Sequence, residues 1–560
     1  MKDSRRDEIL IVGCGPTGLV LAIELARRGV RFRLIDKRDG PTMMPRAFTL
    51  HARTMEMLEH MGLVHHFLKG GIKSRGFRFN FKGKDVRPSL DFSKMDSTYP
   101  YVLIYDQGWT DKHLREHLES TYDIRPQWST EIVGLERGKD KCRAVLSYGK
   151  TGSREVVEPT WIVGCDGVHS FVRKSVGLND SGSKYDGMIM EMMDTKLEGF
   201  NGEDELVHYY ISKENFVLIT KLPDGYHRIG VSGVSVNRAD DQRITQRERF
   251  QNLLDEHLEG ITLATPKLER RWEVRRRIAE KYRIGNVFLA GDAAHVHSPS
   301  GGQGMNVSMQ DAYNLGWKLA FVALNQAAPS LLDTYASERS PVGKQVLEGT
   351  DAMHDIIMAH GQGMEDRLTL TQAKGWHEST VMRISGLSHN YCDAMSLPPE
   401  LRLSNGILPG TRAPNVQVEG GRWLFDLLRH PRMSFLIVQD GDSEPGQTSA
   451  VANSLSEKFG RNASVYTVQG GERFKSSYGS YDKPHVYVVR PDGYVYCHCL
   501  LEDVALLNNH MNEWFLPNER VGGSAPKIDQ KKSEKEWWPK ISRWIWQGMT
   551  AQSLRRDTYR

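Results

Sequence analysis

The sequence predicts an α/β fold: a Rossmann-type domain interrupted by an inserted β-sheet domain and followed by a further α/β domain. Three observations predict it. A glycine loop, GCGPTG, joins the apolar run Ile9 to Val12 to a helical stretch. Two later apolar runs, WIVGCDG and VFLAGD, also end in a tight turn that carries an acid. Between those two the pattern changes to short alternating stretches bounded by turn residues, as in a half-buried sheet.

The first element is the most explicit. In EILIVGCGPTGLVLAIELARRGVRFRLIDKR, Ile9 to Val12 has the continuous apolar character of a buried parallel strand. Gly13 permits the turn, Gly15 leaves room where backbone approaches a pyrophosphate, and Gly18 lets helix and strand pack closely. Pro16 and Thr17 open a helix that buries Leu19, Ala22, Ile23 and Ala26 and stops at Gly29. The next strand, FRLID, ends in Asp36, followed by Lys37. An acid at that distance meets a ribose 2′-hydroxyl. FAD and NAD both fit this unit.

The second element, WIVGCDGVHSFVRKSVG, runs from a strand to Asp166 and Gly167, with Ser170 and Arg173 about one helical turn apart. An N-capping acid in an ordinary turn accounts for it equally well. The third, VFLAGDAAHVHSPSGGQGMN, is more specific. Gly291 and Asp292 stand just past the carboxyl end of a strand, where ligands of open α/β sheets bind and a carboxylate can take up a polyol. Pro299, Gly301, Gly302, Gly304, Met305 and Asn306 then bring backbone against something flat. The helix that follows, with Ala312, Leu315, Leu319 and Val322 on one face, offers the positive end of its dipole to an anion on the pyrimidine edge of a reduced flavin.

Composition bounds the alternatives. A length of 560 residues gives a prior of roughly three to four domains. The 39% hydrophobic and 26% charged shares are those of a soluble globular protein. With 74 basic and 70 acidic residues, the net charge of +4 disfavours nucleic acid as the main partner. The start, MKDSRRDEILIVG, has no secretory h-region, and no apolar run is long enough to span a bilayer. Six scattered cysteines, including Cys497 and Cys499 around His498 in a strand-like stretch, show neither CxxC nor zinc spacing. No metal site is expected, and a cytoplasmic location is.

The three motifs, in this order, resemble those of the group A flavoprotein aromatic hydroxylases, the para-hydroxybenzoate hydroxylase fold. The stretches HARTMEMLEHMG, GFRFNF, LESTYDIRPQW and LLDTYASERSPVGKQVLEGTDAMHDIIMAHG are similar to the branch that hydroxylates chlorinated and simple phenols. The likeness runs from residue 8 to about 395 and weakly to about 500.

That resemblance implies FAD as cofactor, with Gly13, Gly15 and Gly18 on its pyrophosphate and Asp36 on its adenosine ribose. Arg46 would sit by the flavin or its phosphates, and Gln107 by the ribityl chain. Asp166 and Gly167 would serve both FAD and a passing NADPH or NADH. Asp292 would hold the ribityl hydroxyls, and Pro299 with the 301–306 loop would line the ring system. No second strand–GxGxxG–helix unit exists, in keeping with a reductant that docks transiently over the flavin domain.

Along the chain, residues 1–185 and 280–402 read as the two parts of the FAD-binding domain, the second with its helices. Residues 186–279 read as a substrate sheet, with ELVHYYIS, NFVLITKLP and YHRIGVSGVSV as strands. The basic run ERRWEVRRRIAEKYR is expected on a solvated face. Residues 403–525, with LFDLL, FLIVQDG, SVYTVQG and VYVVRPDGYVYC as strands and turns, resemble the thioredoxin-like appendix of phenol hydroxylase relatives, without CxxC. The basic, Trp-rich tail 526–560 departs from the family. Docking on its own or a partner subunit is expected there ahead of a peripheral membrane contact, and the enzyme is expected to be a homodimer.

The implied reaction is hydroxylation of a phenolic ring by NAD(P)H and O₂ through a flavin hydroperoxide, with or without displacement of a ring substituent such as halide. Baeyer–Villiger-type insertion on a polyketide-like aromatic is the alternative. An FAD reductase or dehydrogenase is disfavoured by the single Rossmann unit. The acid that serves simple-phenol hydroxylases falls at Phe48 here, which cannot take a proton. His51, Arg53, His208, Tyr209 and Tyr210 are the candidates for catalysis. His208 and Tyr210 share one strand face and Tyr209 takes the other; the sequence does not say which face meets the flavin. His295 is expected to pack against the flavin loop.

Overall fold

A computed structural model describes residues 8–43, 47–149, 151–181, 184–233, 236, 244–358, 363–418, 421–439, 445–479 and 481–515. Arg46 and the tail 526–560 therefore lie outside the described residues.

The nucleotide-binding sheet has the order Phe32–Ile35, Ile9–Val12, Trp161–Gly164, Val287–Leu289, Arg283–Ile284. The first four run parallel and the short Arg283–Ile284 strand pairs antiparallel. Ile9–Val12 is buried along its whole length, as a central parallel strand must be. The carboxyl ends of three neighbouring strands therefore carry the three sequence motifs. Helix Pro16–Ala26 leaves from the first of those ends, helix Gly304–Ala323 follows the third after the short strand His295–Val296 and a loop, and both are buried over most of their length.

The three strands expected in the insert are present as Leu206–Ile211, Asn215–Lys221 and His227–Gly233. They form the middle of a seven-stranded sheet that is larger than residues 186–279. Gly76–Phe81 and Ser89–Asp91 extend it at one end, and Gly76–Phe81 pairs parallel with Leu206–Ile211. Lys184–Thr195 and the edge strand Leu268–Arg275 complete the other end. The basic run is thus largely a sheet edge, with Arg271 exposed.

The sheet has two apolar faces. One packs Val217, Ile219, Ile229 and Val231 on Phe250 and Leu254 of helix Gln246–Asp255. The other, with Phe77, Phe79, Tyr209 and Leu218, shares a cluster with Phe48 and Ile384.

The C-terminal segment has a four-stranded sheet of order Ala463–Gln469, Met433–Gln439, His485–Val489, Val495–Leu500. Its first pair is parallel and the others antiparallel. LFDLL, read as strand or turn, is a short helix, Leu424–Leu428, whose leucines and phenylalanine are buried. No helix among the described residues is long and apolar enough to cross a membrane.

Candidate active site

The three motifs meet. Gly13, at φ +107°, lies so close to the Cys165 carbonyl that any Cβ there would run into it. A Cβ on Gly18 would run into the Gly13 carbonyl, which is how helix Pro16–Ala26 sits tight on its strand. A Cβ on Gly291 would come within 2.5 Å of Thr17 Oγ1 and 3.0 Å of Ser308 Cβ. The first glycine loop, the Asp166 turn and the Asp292 turn are therefore one junction. Gly15 and Gly167 differ from these packed glycines: nothing lies within 4 Å of a Cβ built at either. That open space faces the start of helix Pro16–Ala26, which no side chain caps. A phosphate fits such a place, because unpaired N–H groups and the helix dipole both favour an anion.

The three acids are in different states. Asp36 is 8% exposed. Its oxygens accept from the Cys14 N–H at 2.8 Å and from Arg38 through N, Nε and Nη2 at 2.9, 2.9 and 2.8 Å. Burial opposes ionisation, but Arg38 and these N–H groups outweigh it and hold the carboxyl below its ordinary range. Asp166 lies against the start of helix Phe171–Ser175, whose N-cap is Ser170 and not the acid that the alternative reading of this turn expected. It accepts from Ser170 Oγ at 2.5 Å and from the N–H groups of Phe171 and Val172 at 2.7 and 3.1 Å. Burial nevertheless pushes it up. Asp292 is exposed at the strand end, with Ser308 Oγ 3.5 Å away.

The 299–306 loop is held from both sides. Thr49 Oγ1 donates to the Gly302 carbonyl at 3.0 Å. His51 N–H donates to Asn306 Oδ1 at 2.8 Å, and Asn306 Nδ2 returns to the Thr49 carbonyl at 2.9 Å. His51 Nε2 lies 2.9 Å from the Gly301 carbonyl. Burial lowers the His51 pKa to about 4, partly offset by the Gly301 carbonyl, so the ring is neutral and Nε2 is the donor. A base that weak is poorly matched to proton transfer near neutrality. His51 positions the loop. Behind it, Asp311 accepts from the Gly291 N–H at 3.1 Å, His295 Nε2 at 2.7 Å and Arg339 Nε at 2.7 Å. His295 thus braces the turn. No side chain caps helix Gly304–Ala323, so its first N–H groups remain available at the loop.

Of the sheet candidates, Tyr209 is on the face toward Phe48, stacked on Phe79 at 5.3 Å. Burial raises its pKa, which makes it a poor proton donor or acceptor. His208 and Tyr210 face the other way, among Phe200 and His257. Tyr210 is therefore not brought to the site. Neither is Arg53: it is buried against Glu56 at 3.1 Å, the Asp492 carbonyl and the Tyr494 ring, beneath the C-terminal segment. Gln107 lies beside Ala47, whose N–H its Oε1 accepts at 3.4 Å.

A residue that sequence reasoning passed over is better placed than these. Arg228, 1% exposed, lies 5.3 Å over the Phe48 ring. It donates to Asp194 Oδ1 and Oδ2 at 2.8 and 2.7 Å and to Asp106 Oδ2 at 2.9 Å. Its Nη1 is buried with no hydrogen-bond partner. Burial works against the charge, and Asp194 first among its partners more than restores it. The signal in the sequence was a lone arginine in the strand HRIGVSG; its acids are visible only through the register that sets Asp194 opposite Arg228.

On the outer side of the Asp166 turn, exposed His169 has its pKa lowered by what desolvation it meets and then by Arg275, Lys174, Arg277 and Lys37. Four cations from three segments, Arg275 and Arg277 sharing one, surround that loop.

Over residues 6–350 the chain matches the family described as FAD binding domain. It is 40% identical over 513 residues to pentachlorophenol 4-monooxygenase of Sphingobium chlorophenolicum, covering 89% of this chain and 95% of that one. It is 32% identical over 478 residues to 6-methylpretetramide 4-monooxygenase of Streptomyces rimosus, covering 82% and 83%. Among solved structures, the anhydrotetracycline hydroxylase OxyS of Streptomyces rimosus superposes with a TM-score of 0.72 at 27% identity, covering 91% of this chain and 99% of that one.

Proposed function

The chain belongs to the FAD binding domain family and is an FAD-dependent aromatic monooxygenase; on that footing we propose that its substrate is a phenol, held as the phenolate by Arg228 and oxygenated on the ring. FAD supplies the activation of O₂ once NAD(P)H has reduced it. The protein binds, orients and excludes water. The Gly13–Gly18 loop takes the pyrophosphate, and Asp36, with Arg38 yielding one contact, takes the adenosine ribose. Gln107 and Asp292 take the ribityl chain, and the 301–306 loop takes the ring system.

The observation that carries the substrate class is the buried, unpartnered Nη1 of Arg228 beside an aromatic wall. A cation there stabilises a phenolate, and a phenolate ring is far richer in electrons than a phenol. No base need then act at Phe48, since the proton can leave to water as the phenol binds. The 40%-identical relative supports a ring that carries a displaceable substituent. The test is NADPH oxidation with a panel of phenols and chlorophenols under ¹⁸O₂. Label in the product and halide release are expected. Stimulated oxidation with no label incorporated defeats the reading.

Two further results are expected. Asp292→Ala retains FAD poorly through gel filtration, and a variant that stays yellow and active removes Asp292 from the ribityl site. Lys37→Glu with Arg277→Glu raises the KM for NADPH several-fold at low salt and leaves kcat near wild type, because the cations around His169 steer and seat an anionic reductant. An unchanged KM moves the docking path elsewhere. We also read the C-terminal sheet as thioredoxin-like, on its parallel pair followed by an antiparallel hairpin. The missing CxxC disfavours a redox role for it.

A further inference from the structure

The turn Arg490–Tyr494 of the C-terminal segment reaches into the flavin-binding half of the molecule. Asp492 Oδ2 accepts from Asn314 Nδ2 and Trp317 Nε1, both at 3.2 Å. Arg490 donates to both oxygens of Glu338 at 2.8 Å and to Asp492 at 2.9 and 2.5 Å. Glu338 also accepts from Asn314 Nδ2 and Lys318 Nζ, each at 2.7 Å. Two neighbouring turns of helix Gly304–Ala323 are therefore tied to one point outside it.

The chain of contacts continues toward the flavin loop. The Arg490 guanidinium lies 5.0 Å over Tyr391 and 5.3 Å over Trp317. Tyr391 Oη accepts from Arg339 Nη1 at 3.2 Å, and Arg339 holds Asp311, the acceptor of the Gly291 N–H. Arg490, Asp492, Glu338, Lys318, Arg339 and Asp311 are all at most 4% exposed. Six buried charges are a costly way to make two surfaces cohere, because apolar side chains of equal volume do it as well. What directional, bidentate pairs add is a single rotation and height for the helix.

We propose that Arg490 and Asp492 are positioning residues for the flavin. Through Asn314, Trp317 and Glu338 they fix helix Gly304–Ala323, and so fix where its free N–H groups stand relative to the reduced ring. This rests on the reading that the 301–306 loop faces the flavin.

The experiment uses the full-length, FAD-loaded protein. Trp317→Phe keeps the ring under Arg490 and removes one donor to Asp492; Asp492→Asn is the stronger change. Arg412→Gln is the control. It breaks another contact of the C-terminal segment, Arg412 to Glu56 at 2.9 Å, and leaves Glu56 on Arg53 and the Asn314, Trp317 and Glu338 contacts whole. The readouts are the Kd of oxidised FAD, the midpoint potential of bound FAD by dye equilibration, and the melting temperature.

In Trp317→Phe the preference for reduced over oxidised FAD should fall roughly three- to tenfold, the scale of a displaced helix terminus. Arg412→Gln should lower melting without moving the potential. A wild-type potential in Trp317→Phe, or an equal shift in Arg412→Gln, overturns the proposal. Trp317→Phe decides alone if Asp492→Asn does not fold. Should Asp292→Ala also leave FAD untouched, the placement of the flavin has failed; should it release FAD while Trp317→Phe keeps its potential, the positioning role has.

Discussion

Gly15→Ala is expected to fold like the wild type and to bind FAD about 10- to 100-fold more weakly, the effect of roughly 1–3 kcal/mol of overpacking at a close contact. The reason is the contrast among the three glycines of one loop. Gly15 has extended backbone, φ −87° and ψ −174°, which alanine adopts freely. Nothing of the protein lies within 4 Å of the added methyl, so the apoprotein has no cause to suffer. The methyl instead takes the space of the phosphate. Gly18→Ala is expected to do the opposite. Its methyl meets the Gly13 carbonyl, a backbone atom that cannot step aside, so the helix has to leave its strand and the apoprotein itself loses stability. Melting of the apoproteins and titration with FAD, followed by flavin fluorescence, separate the two. Equal apoprotein melting in both variants, or full FAD affinity in Gly15→Ala, contradicts this account of the loop.

The same contrast shows what the sequence could and could not tell. The glycine loop, its strand and its helix were legible because each constraint is local: a turn, a close approach, an apolar run. The order of three strand-to-turn motifs carried the cofactor. What stayed hidden depends on segments far apart in the chain. Gly76–Phe81 joins the seven-stranded sheet only through its parallel pairing with Leu206–Ile211, and a run of six residues does not announce its neighbour. Glu56, one helical turn from Arg53, was within reach of the sequence, but the Asp492 carbonyl that covers Arg53 is 439 positions away. His51 is a similar case, its contacts lying some 250 positions away. Its neighbours Gly301 and Asn306 turn a plausible base into a buried, neutral strut.

Arg228→Lys is expected to fold, to hold FAD and to lose about 10²-fold or more in turnover of a phenol, the scale seen when one preorganised donor is removed from developing charge. Lysine keeps the cation opposite Asp194, which limits the damage a buried, unpaired acid would do. It lacks the planar fork that serves Asp194 and Asp106 at once and still presents Nη1. The unsatisfied Nη1 costs about 1–3 kcal/mol in the unliganded protein, and a phenolate oxygen relieves it. Binding therefore favours the ionised phenol. A hydrogen bond from Nη1 favours the charged form of an acid, so in the wild type the phenolate persists below the pH at which the free phenol ionises, and a lysine that spends its ammonium on Asp194 and Asp106 does not supply that donor. In Arg228→Lys that pH should rise toward the free value, and the acid limb of kcat should rise with it. Bound 4-nitrophenol reports this directly, because its phenolate is coloured and its phenol is not. If its colour titrates identically in the two proteins, Arg228 does not hold the phenolate, and the proton must leave by another route.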